Sequence, residues 1–98
     1  MNYVKTNDGK KLTVSLVGEV DSMNTPEIEN RLLKEIDGIT ELVFDLENLD
    51  YISSAGLRVL LQMQKMMKPI GSMVIINAKE DVMDIFKVTG FVRLFTFQ

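Results

Sequence analysis

The chain contains no cysteine and no histidine in 98 residues. Without cysteine there is no disulfide framework and no thiolate chemistry. Without histidine the commonest general base and the usual metal ligand are missing, and with them the Ser-His and Cys-His nucleophile pairs. A zinc site built from carboxylates alone would be unusual. No apolar run approaches the ~20 residues that a membrane-spanning helix requires. The opening stretch MNYVKTNDGKK is polar and lacks the apolar core of a secretion signal. Proline and glycine are few, 2 and 6 residues, and stand singly as punctuation. They form no phosphate-cradling loop, so no bound nucleotide is expected. Lysine and arginine total 11 against 14 acids, a net charge of −3. Nucleic-acid binding needs clustered cations, which this balance disfavours. Together these absences point away from a conventional enzyme and towards binding or regulation.

What is present is the composition of a soluble globular protein: 46% hydrophobic and 26% charged residues. That excludes a disordered tail. The length allows one domain, residues 1–98, and one modest core.

The pattern predicts strands at 2–6 and 11–17 around a turn at Asn7–Lys10, with Leu12, Val14 and Leu16 on one face. Residues 18–24 read as a loop. A helix follows, capped by Asn24 or Thr25, with Pro26 at its first position, Ile28, Leu32, Leu33 and Ile36 on its apolar face, and Gly38 as its stop. Residues 41–46 read as a strand buried on both faces. A lead-in at 47–52 reaches Ser53 and Ser54. A helix at 55–67, a strand at 72–77, a short helix at 80–88 ended by Gly90, and a last strand at 93–97 complete the chain. The expected fold is α/β: a mixed sheet of four to five strands with about three helices mainly on one face.

The segment from Leu42 to Leu61 is the most informative. A buried strand ends among acids and delivers two serines to the start of an apolar helix. The first turn of a helix offers unpaired N–H groups and about half a positive charge. A serine there caps the helix or carries a phosphate comfortably. Gly56 costs roughly 1 kcal/mol relative to alanine inside a helix, which points to a packing or functional reason. A serine nucleophile is disfavoured, because no histidine exists to activate it.

The run Asp45-Leu46-Glu47-Asn48-Leu49-Asp50-Tyr51-Ile52-Ser53-Ser54-Ala55-Gly56-Leu57-Arg58-Val59-Leu60-Leu61 resembles the signature of STAS domains, the anti-sigma factor antagonists and related modules. Gly18-Glu19-Val20-Asp21 is similar to a second, weaker motif of that family. The resemblance implies a non-enzymatic, cytoplasmic anti-anti-sigma factor, monomeric when free and needing no cofactor of its own. It implies phosphorylation at Ser54, with Ser53, which stands where the family often has Asp, as second choice. The implied partners are a GHKL-type anti-sigma factor serine kinase and a PP2C-type serine phosphatase. Glu19, Asp21, Ser53, Ala55, Gly56, Leu57 and Arg58 are the expected partner-binding residues. The alternative is a constitutive STAS-type subunit of a membrane-lipid transport complex.

Three further features have plainer readings. Asp45, Glu47 and Asp50 match no calcium-loop spacing and read as strand-end and turn residues. Met63, Met66 and Met67 read as core filler. Lys65 and Lys68 are too sparse for direct membrane binding.

Overall fold

A computed structural model describes residues 2–98. Its elements are β1 (Tyr3–Asp8), β2 (Lys11–Leu16), β3 (Gly18–Val20), α1 (Thr25–Glu35), β4 (Glu41–Asp45), β5 (Leu49–Ile52), α2 (Ser54–Met67), β6 (Ser72–Ile76) and α3 (Glu80–Thr89), followed by a 3-10 turn at Phe91–Leu94.

The hairpin forms as the sequence predicts. β1 extends to Asp8, so only Gly9 and Lys10 turn the chain, and Gly9 supplies the positive φ of 62°. β2, β4 and β6 run parallel, giving a mixed sheet in the order β1-β2-β4-β6. One face of this sheet carries Leu12, Val14, Leu16, Leu42, Phe44, Met73 and Ile75. These side chains share a single core with Ile28 and Leu32 of α1, Leu57, Leu60 and Met63 of α2, and Val82 and Phe86 of α3. All three helices therefore cover the same face. The opposite face holds Thr13, Ser15, Asp45 and Val74, which remain half-exposed. Val43 is buried on that outer face by its place on a central strand, and it lies outside the core cluster.

Several expectations need correction. Residues 18–20 and 49–52 are strands, not loops: β3 and β5 pair in parallel as a separate two-stranded sheet. Segments of three and four residues carry too little periodicity to be recognised, and their pairing spans some thirty residues of sequence. The strand expected at 93–97 is absent. Gly90 takes φ 81° to end α3, and the chain then makes a 3-10 turn. Only one bridge remains, Ile75 opposite Phe97, closed by the bonds Ile75 N–H to Thr96 O and Gln98 N–H to Ile75 O, both 2.9 Å. Packing sets this path. Phe95 and Phe97 stand edge-on to the fully buried Phe86 at 5.7 and 5.2 Å between ring centres.

Leu33 is 40% exposed and is not part of the α1 core face. Ile28, Leu32 and Ile36 recur every four residues, and Leu33 sits one step, about 100°, round the helix from them. Met63 and Met67 are core, whereas Met66 is 39% exposed. Asn24 occupies the cap position of α1 without capping through its side chain. Thr25 is the first helical residue and Pro26 the second.

Candidate functional site

The end of the molecule at the C-terminal edges of β3 and β5 is built in three steps. The parallel pairing of these strands sets Glu19 beside Tyr51 and Val20 beside Ile52. The Ser53 N–H donates to the Val20 carbonyl at 2.8 Å, so the start of α2 is fastened to the end of β3. Gly56 then packs onto both strands. A Cβ at this position would lie 2.7 Å from Ile52 Cγ1 and 2.8 Å from Val20 Cγ1. Those are branched, buried side chains, so the glycine is required for the close approach of helix to sheet. This is the packing reason that its helix cost called for.

The two serines divide the work. Ser53 has an extended backbone and its hydroxyl accepts the Gly56 N–H at 3.3 Å; it is the cap of α2. Ser54 is the first residue of the helix and is exposed. Its neighbourhood is the positive end of a 14-residue helix with no acid in its first turn. A phosphoryl group there would meet N–H groups that have no partner within the helix.

The other expected site residues separate into two kinds. Glu19 and Arg58 are exposed, Arg58 lying one helical turn beyond Ser54, and Ala55 is half-exposed. Gly56 and Leu57 are buried, Leu57 completely, so they shape the turn from beneath. Asp21 is half-buried and its carboxylate is committed to its own loop, accepting the N–H groups of Met23 and Asn24 at 2.9 and 3.0 Å. Asn24 completes the loop, accepting the Asp21 N–H at 2.9 Å and donating to the Glu19 carbonyl at 2.8 Å. The Thr25 hydroxyl also donates to the Asp21 carbonyl. The result is a stapled loop that leaves Met23 87% exposed, three residues beyond the Val20 whose carbonyl holds Ser53. Sequence reasoning did not single out Met23 or the exposed Tyr51. A lone apolar residue in a loop carries no periodic signal.

Asp45, Glu47 and Asp50 do not converge. Asp45 accepts the Glu47 N–H and the Asn77 amide, and Asp50 pairs with Lys79 at 2.7 Å. Among the described residues no group of three or more acids could hold a metal ion, and no helix is long and apolar enough to cross a membrane.

With this geometry in view, the comparisons with known proteins agree with one another. The family model described as the STAS domain matches residues 2–98. BtrV of Bordetella bronchiseptica, itself a proposed anti-sigma factor antagonist, is 40% identical over 86 residues, covering 86% of this chain and 74% of that protein. The anti-sigma-B factor antagonist of Bacillus subtilis is 30% identical over 88 residues, covering 89% and 80%. Among solved structures, the anti-sigma factor antagonist SpoIIAA in its unphosphorylated form superposes with a TM-score of 0.84 at 17% identity, covering 98% of this chain and 87% of that one. Its phosphorylated form gives 0.76 at 16% identity, covering 98% and 90%. These structures bear on the fold.

Proposed function

The chain belongs to the STAS domain family, and from that premise we propose that it is an anti-sigma factor antagonist switched by phosphorylation of Ser54. The unphosphorylated chain binds a serine kinase of GHKL type that doubles as an anti-sigma factor, and so frees the sigma factor. A PP2C-type phosphatase restores the binding form. The chain works in the cytoplasm as a binding protein without catalysis of its own.

One observation carries this reading. Ser53 takes the cap, and that leaves the Ser54 hydroxyl exposed at the positive end of α2. The helix end favours the added charge, about −1.5 to −2 at neutral pH. The fold therefore has little reason to change. The partner bears the cost: a surface fitted to a small neutral hydroxyl would have to desolvate a doubly charged group, at several kcal/mol. Exposed Glu19, Met23 and Arg58 complete the surface that the partner meets, and Ala55 lies at its edge. Gly56 and Leu57 hold it in shape.

The test is phosphosite mapping. The purified chain is incubated with ATP and an extract of its own cells, and added phosphate is located by mass spectrometry. We expect phosphate on Ser54 and none there in Ser54→Ala. Affinity for the isolated kinase should fall a hundredfold or more on phosphorylation or in Ser54→Asp, while Ser54→Ala still binds. Phosphate on Ser53 alone would move the switch by one residue. No phosphate on either serine, in an extract active on a control substrate, would overturn the switch and favour a constitutive assembly role.

A further inference from the structure

Away from the serine end, three exposed apolar side chains stand together: Leu33, Met66 and Ile70, at 40, 39 and 59% exposure. With Ile36 they line a shallow depression between the C-terminal parts of α1 and α2. Met66 also lines a second depression that runs along α2 past Lys65 and Leu61 to Arg58. The two adjoin at Met66: the first is the groove between the helices, and residues of α2 alone line the second. Contiguous uncovered apolar surface of this kind marks an interaction site more often than single exposed residues do.

The charge around the groove says what it accepts. Residues 54–67 include no acid. Lys65 stands next to Met66 in the adjoining depression and Lys34 lines the groove itself, against a single acid, Asp37. This positive rim stands on a chain whose net charge is −3. A second copy docking symmetrically on the groove would set these cations against each other. We propose that the groove between α1 and α2 receives an acidic amphipathic helix of a partner protein, apolar face inward and acids on Lys34 and Lys65. This site does not depend on the phosphate switch at Ser54.

The test uses a synthetic helical peptide with leucines at i, i+3, i+4 and i+7 flanked by glutamates, and its twin with lysines for glutamates. Both are titrated into the full chain and followed by amide chemical shifts. We expect the acidic peptide to shift Leu33, Lys34, Leu61, Lys65, Met66 and Ile70 saturably, and more weakly as salt rises. The lysine twin should not saturate. The double variant Lys34→Glu, Lys65→Glu should bind the acidic peptide at least tenfold more weakly, and Met66→Asp should abolish the shifts with the fold intact by circular dichroism. Ser54→Asp should bind the peptide as the unmodified chain does. Equal binding of the two peptides, or shifts confined elsewhere, would overturn the proposal. So would the same shifts appearing on concentrating the chain alone, which would indicate a second copy. Shifts with phosphatidylglycerol vesicles but not with the peptide would overturn it in favour of a lipid surface, and loss of peptide binding in Ser54→Asp would show that the groove is not separate.

Discussion

Ser53 and Ser54 are chemically identical neighbours given different work by their backbone positions. The Ser53 side chain lies where it can accept the Gly56 N–H, whereas Ser54 begins the helical turn and faces outward. Removing a serine cap costs about 1 kcal/mol. Ser53→Ala should therefore lower unfolding stability by about that amount, while Ser54→Ala should change it by less than about 0.5 kcal/mol. Urea unfolding of the three proteins checks this; equal losses would show that the cap is shared. The sequence marked this pair as a helix start and could not divide the roles. That division depends on the Val20 carbonyl holding the Ser53 N–H, a contact across 33 residues.

At the scale of elements, the order of helices and main strands followed from apolar periodicity and from Gly and Pro punctuation. The errors fall where local pattern is too short to decide. β3 and β5 exist because each finds the other, and the C-terminal segment turns as it does because Phe95 and Phe97 seek the ring of Phe86. The turn from α2 into β6 shows a constraint of the same kind. A Cβ on Gly71 would lie 1.9 Å from the backbone oxygen of Thr40, and the next residue, Ser72, donates its N–H to that same oxygen at 2.9 Å. A backbone atom cannot step aside as a side-chain tip can. Gly71→Ala should destabilise by about 3 kcal/mol or more, at the upper end of overpacking effects. Its urea midpoint is the readout, and an unchanged midpoint would mean that the β4–β6 edge yields freely.

Across the whole molecule, one polar cluster ties the edge strand to the helical layer. Glu35 of α1 accepts the Tyr3 hydroxyl and pairs with Lys5 of β1 at 3.0 Å, and Arg31 lies 4.2 Å above the Tyr3 ring. Burial alone would raise the Glu35 carboxyl; the Tyr3 hydroxyl, Lys5 and Arg31 together outweigh it and hold the group below its ordinary 4.5. Burial, and then the bond to Glu35 and its charge, raises the Tyr3 hydroxyl above its ordinary 10.0. The signs oppose. The Glu35 contribution is complete above pH 4.5 and is lost as pH falls below it, because the folded chain favours the carboxylate. The Tyr3 contribution is complete below pH 10.0 and is lost as pH rises above it, because the folded chain favours the neutral phenol. Glu35→Gln should flatten the acid limb of the stability–pH curve and Tyr3→Phe the alkaline limb. Glu35→Gln should also lower the plateau by about 1.5–3 kcal/mol, as loss of a charge-assisted bond does. Unfolding measured from pH 3 to 11 tests both, and an acid limb unmoved in Glu35→Gln would sink the assignment.

The residues alone were enough for the fold class, the one-sided helical layer, the hairpin and the serine-bearing start of α2. Each of these is written in local periodicity, turn chemistry or a contiguous motif, and local signals survive without knowledge of the partner. Folding in three dimensions settled the rest: the small β3–β5 sheet, the stapled loop that commits Asp21 and presents Met23, the burial of Leu57, and the groove that gathers Leu33, Met66 and Ile70. Those features arise from contacts between segments far apart in the chain, whose energy depends on which surfaces meet, and no stretch of sequence contains that information locally.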